Sequence, residues 1–265
     1  MSILELTALT RSFSELLAVD RLDLSIATGE MFGLLGPNGA GKSTTIKMLT
    51  TLLPPSGGSA SVDGFDVVHR AQSVRRIIGY VPQMLSADGT LTGFENLMVF
   101  AKLYELPRAD RKDRVSESLA FMGLADSADK PVRHYSGGMI RRLEIAQSML
   151  HDPRVLFLDE PTVGLDPAAR RAVWDLIGTL RARRGTTIVM TTHQMEEADL
   201  LCDRIAIMHR GRLVAQGTPS ELKDSIGSDG ASLDDVFIHY TGSNLDSGGT
   251  YRETRRARRS ARRLS

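Results

Sequence analysis

The chain has 265 residues, 42% hydrophobic and 25% charged, an ordinary globular composition with enough length for a substantial core. Its single cysteine, Cys202, excludes an internal disulfide and a cysteine-cluster metal site. The net charge of +1 is uneven: residues 250–265 hold seven Arg and one Glu, which leaves about −5 for the rest, so no nucleic-acid-binding surface is expected on the body.

Residues 3–9 and 22–26 alternate apolar and polar positions and read as strands, with Phe13 between them. Residues 28–30 (TGE) form a turn before the apolar strand Met31–Leu35. Next comes GPNGAGKS, which is Gly36, Pro37, Asn38, Gly39, Ala40, Gly41, Lys42 and Ser43, and then an amphipathic helix from Thr44 to about residue 53. The pattern G-x-x-x-x-G-K-S between a strand and a helix is the setting a phosphate loop requires. Glycines allow backbone angles that turn successive N–H groups inward as an anion nest. The following helix points its positive dipole end at the same place. Lys42 adds an ammonium for the outer phosphates, and the Ser43 hydroxyl is a ligand for Mg²⁺. The stretch is therefore expected to hold a nucleoside triphosphate.

After a Pro/Gly/Ser loop at 54–59, residues 60–62 and 63–64 suggest a short strand and a turn. Residues 77–82 (IIGYVP) form a strand that ends at proline, followed by Gln83. From 84 to about 150 the pattern is helical, with helices expected over 93–106, 109–122 and 138–150. The α/β pattern then resumes: strand 154–158, helix 167–182, strand 186–191, helix 194–201. Residues 204–208 and 213–216 bracket an Arg-Gly turn and read as a hairpin, with helices at 218–223 and 233–240. Strands alternating with helices argue for a parallel sheet. Residues from 242 onward are Ser/Gly/Arg-rich and read as disordered. No apolar run approaches bilayer length and the N-terminus lacks the plan of a signal peptide, so a cytoplasmic chain is expected.

Strand 154–158 delivers Asp159 and Glu160 at its carboxyl end. Asp159 is assigned to the metal, and Glu160 to the attacking water. His193 follows the next core strand, within reach of a γ-phosphate, which sets it apart from the five other histidines. Gln83 also ends an apolar strand; its amide suits the metal or the water, and it opens the helical stretch. Ser136, Gly137 and Gly138 begin an amphipathic helix, a second anion-binding helix start. Two such starts in one chain raise the reading that one serves another chain's nucleotide.

These motifs, in this order, resemble the nucleotide-binding subunit of an ATP-binding-cassette (ABC) transporter over about residues 2–240. GPNGAGKS matches Walker A, Gln83 the Q-loop, Tyr135–Met139 the signature, VLFLDE at 155–160 Walker B, GLD at 164–166 the D-loop and His193 the switch histidine. Phe13 falls where the family places an aromatic that stacks on adenine; here the ring lacks the commoner tyrosine hydroxyl. The signature departs from LSGGQ at Tyr135 and Met139, with the Ser-Gly-Gly core intact. LTGFENL, EPTVGLDP, THQMEEAD and SLDDVF look like the daunorubicin/doxorubicin-resistance group of drug-efflux ATPases.

The resemblance implies an α/β fold: a P-loop NTPase core with an antiparallel β subdomain and an inserted α-helical subdomain at about 84–150, all within an ATPase domain at 2–241. It implies ATP and Mg²⁺ as ligands, with Ser43, Gln83 and Asp159 toward the metal, Glu160 on the water and His193 on the γ-phosphate. It implies a head-to-tail homodimer in which each ATP lies between Walker A of one copy and Ser136–Gly138 of the other. A separate membrane permease is the implied partner, reached through the 83–95 region, with the chain peripheral at the cytoplasmic face. An importer ATPase and a soluble non-transport cassette protein are the alternatives. The tail at 242–265 reads either as a solvated end or as a contact to anionic lipid head groups.

Overall fold

In a computed structural model of the chain, residues 1–227 and 230–242 are described, so the Arg-rich tail and both readings of it lie outside the described residues. Two sheets organise the rest. Strands β1 (Ser2–Phe13) and β2 (Leu16–Ala27) form an antiparallel hairpin. Both are longer than the alternating runs at 3–9 and 22–26. Register shifts between Leu6 and Leu9, at the end of the first run, and again on to Arg11 and Ser12 break the period of two. Phe13 is therefore the last residue of β1 rather than a residue between strands, and the chain reverses at Ser14, whose φ is 49°.

The second sheet has six strands. Its centre is β3 (Met31–Leu35), flanked by β8 (Thr187–Thr192) and β9 (Arg204–His209), all parallel. Beyond β8 lie β7 (Val155–Asp159) and β6 (Ile78–Val81), also parallel, and β10 (Arg212–Gly217) closes the other edge as a hairpin with β9. Strands β3, β7 and β8 are buried at every position. That is why they read as continuous apolar runs instead of alternations. Side chains of β3 feed two cores in turn: Met31 and Leu35 pack toward the helical side, and Phe32 and Leu34 toward the antiparallel sheet. In that antiparallel sheet, β4 (Gly57–Val62) pairs with the far edge of β1, and β5 (Phe65–Asp66) pairs with β4.

Helix α1 (Lys42–Leu49) leaves β3 through the glycine loop. Helix α2 (Ala71–Ile77) was not visible as a periodic segment, because only Val74 of its seven residues is buried. It takes Ile77 from the expected strand, which begins at Ile78. Strands β6 and β7 lie side by side with Ile78 opposite Val155. Between them in sequence the chain leaves the sheet for α3 (Gly93–Leu103), α4 (Arg111–Phe121) and α5 (Gly137–Met149). Thr92 and Glu95 cap α3 reciprocally, so its start is fixed by two satisfied backbone donors. Leu97, Val115 and Leu143 of these helices share one core with Leu156 of β7. The chain returns through α6 (Pro167–Arg184) and α7 (Met195–Leu201), then α8 (Pro219–Asp224) and α9 (Leu233–Thr241).

Phe157 is fully buried in β7 and holds the sheet against the antiparallel subdomain. Phe157→Ala is expected to destabilise the fold by about 3–5 kcal/mol, measurable as a lower urea midpoint with an unchanged denaturant slope.

Candidate functional site

The carboxyl ends of β3, β7, β8 and β6 converge on one place. Strand β3 delivers the glycine loop, β7 delivers Asp159 and Glu160, β8 leads to His193, and β6 leads to Gln83. In parallel α/β sheets this edge is where ligands bind.

The loop is built for close backbone approach. A Cβ on Gly36 would sit 2.3 Å from the Met208 carbonyl oxygen. Gly41 has φ 105° and a Cβ there would meet the Ala18 carbonyl at 2.5 Å. Neither position accepts a side chain. The Gly211 N–H donates to the Ala40 carbonyl (3.0 Å) and the Asp20 N–H to the Gly211 carbonyl (2.8 Å), so the loop is anchored to β2 and to the β9–β10 turn. The β1–β2 hairpin carries Phe13, which is 42% exposed, with the Arg11 guanidinium 4.6 Å from its ring centroid.

Below the loop, four polar side chains close on one another. Lys42 Nζ donates to the carbonyls of Gly36 (2.7 Å) and Pro37 (3.2 Å) and lies 3.2 Å from Glu160 Oε1. Gln83 Nε2 donates to Glu160 Oε2 at 3.0 Å, and His193 Nδ1 lies 3.3 Å from the same oxygen. Lys42 and Glu160 are each only 4% exposed. Burial favours the neutral form of Glu160, yet the His193 ring and the Lys42 ammonium beside it hold its carboxyl below the usual range. Burial pushes the Lys42 ammonium below its usual range, and Glu160 opposes that shift.

Asp159 is 2% exposed and its Oδ1 accepts from Ser43 Oγ (2.9 Å) and Thr191 Oγ1 (2.6 Å). The Ser43 and Asp159 oxygens thus stand together as a pair of hard donors. Among the described residues no group of three or more His, Cys, Asp or Glu side chains is placed to hold a metal ion. The pair fits an ion that takes one or two protein oxygens and completes its shell from phosphates and water, the habit of Mg²⁺.

The structure brings Lys42, Ser43, Gln83, Asp159, Glu160 and His193 together. It places Ser136, Gly137 and Gly138 elsewhere. Ser136 caps α5, its Oγ accepting from the Met139 N–H at 3.2 Å, and Ser136 and Gly137 stand in solvent. Their close neighbours are Leu165 and Ala169 at the entry to α6. Among the described residues, none of the segment's hydrogen bonds reaches 36–43.

Two contributions were not read from the sequence. Thr191 binds Asp159 through its hydroxyl, which also accepts from the Glu160 N–H at 3.0 Å. A polar residue at the carboxyl end of an otherwise apolar strand was the available signal. Arg141 and Glu144, both about 2% exposed, form a pair 3.1 Å apart on α5. Arg141 donates to the carbonyls of Pro82 (2.7 Å) and Gln83 (2.9 Å), and Glu144 accepts from the Ser86 hydroxyl at 3.1 Å. In sequence the pair looks like an ordinary solvated i,i+3 couple.

The profile of the ABC transporter family matches residues 19–163. The chain is 48% identical over 225 residues to the daunorubicin/doxorubicin resistance ATP-binding protein DrrA of Streptomyces peucetius, covering 85% of this chain and 68% of that protein. It is 45% identical over 227 residues to the Nod factor export ATP-binding protein I of Sinorhizobium fredii, covering 85% and 66%. The chain thus spans about two thirds of the length of these relatives. Among solved structures, an ATP-binding subunit of an ABC transporter superposes with a TM-score of 0.80 at 32% identity, covering 90% of this chain and 99% of that one. The chain belongs to the ABC transporter family, as an ATP-binding and ATP-hydrolysing subunit. Within the family it stands with the ATPase subunits of exporters.

Gly41→Ala puts a methyl group against the Ala18 carbonyl at a left-handed position. It is expected to reduce ATP affinity by about tenfold or more and to destabilise the fold by at least ~1 kcal/mol. Titration with a fluorescent ATP analogue, alongside thermal melting, measures both.

Proposed function

We propose that this chain binds Mg²⁺–ATP on residues 36–44, hydrolyses it with Glu160, and couples the cycle to export of a drug or other hydrophobic small molecule through a separate membrane permease. The observation that carries the reading is the buried contact of Lys42 with Glu160, next in sequence to the residues of the Ser43–Asp159 pair. Glu160 is a buried carboxylate held in its ionised form, the form that can accept a proton.

Each residue then has a task. The loop N–H groups and the start of α1 bind the phosphates, and Lys42 turns its ammonium from the Gly36 and Pro37 carbonyls toward the β- and γ-oxygens. Ser43, Asp159 and the Gln83 amide hold Mg²⁺, which when bound offsets the charge on the transferring phosphate. Glu160 accepts a proton from water as the water oxygen bonds to the γ-phosphorus. The bond to the β,γ-bridging oxygen breaks, and ADP leaves with that electron pair. His193, beside Glu160, binds the γ-phosphate, and Phe13 stacks on adenine.

The exposed start of α5 supports a second copy as partner. Ser136, Gly137 and Gly138 are expected to close over the ATP held by the other chain, which makes a head-to-tail dimer with two nucleotides between the copies. Family membership supports the permease, and no helix among the described residues is long and apolar enough to cross a membrane. Met84, at 81% exposure, and the exposed Leu85, Val99 and Leu103 supply apolar surface for that contact around the Q-loop and α3. The chain then works at the cytoplasmic face of the membrane. The roles of these relatives, resistance to daunorubicin/doxorubicin and export of Nod factor, support the outward direction.

Glu160→Gln is expected to keep ATP affinity within a few-fold, to accumulate the ATP-bound dimer on gel filtration, and to lower turnover by about a hundredfold or more. Wild-type turnover in this variant would remove Glu160 from the chemistry. Lys42→Ala is expected to weaken ATP binding about tenfold or more in an equilibrium titration, and undiminished affinity would count against the phosphate cradle.

A further inference from the structure

The turn after Glu160 is held by a residue that none of the motifs above uses. Glu197, on the first turns of α7, is 1% exposed. Its Oε1 accepts from Thr162 Oγ1 at 2.7 Å and from Trp174 Nε1 at 2.9 Å. Thr162 is fully buried and Trp174 is 4% exposed. One carboxylate oxygen, met by two neutral donors, therefore joins three segments: the turn two residues beyond Glu160, the middle of α6, and the helix that begins just after His193.

A buried carboxylate is an expensive way to satisfy a hydroxyl and an indole. Its location explains why the turn tolerates it. Glu160 sits at φ 48°, a left-handed conformation that a side chain resists. Such a residue persists only where its surroundings over-determine it. Upstream, the Glu160 N–H is fixed to the Thr191 hydroxyl at 3.0 Å and to the Thr191 carbonyl at 3.1 Å. Downstream, the turn is closed by weak backbone bonds, Val163 N–H to Glu160 O at 3.3 Å and Leu165 N–H to Thr162 O at 3.2 Å. The firm downstream anchor is Thr162 on Glu197.

We infer that Glu197 is a positioning residue for ATP hydrolysis: by clamping Thr162 and Trp174 to α7, it fixes the strained Glu160 backbone relative to His193. The inference rests on the assignment of Glu160 as the base. The Glu197 oxygen is engaged by Thr162 and Trp174 and makes no hydrogen bond to residues 36–43, so its effect falls on the rate of the chemical step and not on ATP affinity.

The test measures kcat for ATP hydrolysis and Kd for ATP on the full chain. Glu197→Ala removes the acceptor and is expected to lower kcat about tenfold or more with Kd within about twofold. Glu197→Gln keeps an amide oxygen able to accept from both donors, and is expected to restore most of that loss. Thr162→Val, which keeps the volume and removes one donor, is expected to show the same split at smaller size. Wild-type kcat in Glu197→Ala, a parallel loss of affinity and turnover, or a Gln variant as impaired as Ala would each overturn the inference. Where Glu197→Ala does not fold, Thr162→Val decides: reduced kcat at unchanged Kd supports the clamp, and unchanged kcat overturns it. Glu160→Gln serves as the control. An inactive Glu160→Gln beside a fully active Glu197→Ala sinks the clamp alone, whereas an active Glu160→Gln removes the base assignment and the clamp with it.

Discussion

A lysine and a glutamate, each 4% exposed and 3.2 Å apart, set the terms for the structure around them. Taking both charges out of water costs several kcal/mol per ion unless geometry and further hydrogen bonds compensate. The compensation accounts for most of the site. Lys42 takes two backbone carbonyls as well as the carboxylate, and Glu160 takes the Gln83 amide and the flank of His193. The four side chains Lys42, Gln83, Glu160 and His193 come from four different strand ends. The charge pair is therefore stable only when β3, β6, β7 and β8 stand in the right order, and the sheet order in turn is the one that places these four ends side by side.

A structural ion pair is better replaced by apolar packing when nothing else is asked of it. Here both partners have phosphate-loop or strand-end positions that no hydrophobic pair would serve. Lys42 is the first residue of α1, with its ammonium already desolvated and held by two carbonyls that are weaker partners than a phosphate oxygen. Glu160 is ionised against its own burial. The pair thus holds both groups close in a dry place, where a charge-assisted contact to a triphosphate gains more than it would in water.

The motif residues were legible because each lies at a break in a pattern. Lys42 follows a glycine run, Asp159 and Glu160 end an apolar run, and Gln83 follows a proline stop. A chemical group at the carboxyl end of a buried strand has few structural reasons to be there. Strand limits were less legible where bulges shift the register, as in β1 beyond Leu6, and α2 was invisible because one buried valine makes no period. The supporting shell was hardest to see. Arg141, Glu144 and Glu197 are charged residues on helices, and composition alone assigns such residues to solvent. Their burial follows from the packing of α5 against the Q-loop and of α7 against the turn after β7, which is tertiary information.

That shell also ties α5 to the end of β6. Helix α5 begins at the solvent-facing Ser136 cap and, little more than one turn later, carries Arg141, whose guanidinium holds the backbone carbonyls of Pro82 and Gln83. Gln83 in turn holds Glu160 through its side chain. The α5 helix is thereby tied to the backbone around Gln83, while Glu160 is anchored to β8 through Thr191. Gln83 thus joins the strand ends that hold the carboxylates, through its side chain, to the helix that begins at Ser136, through its backbone carbonyl.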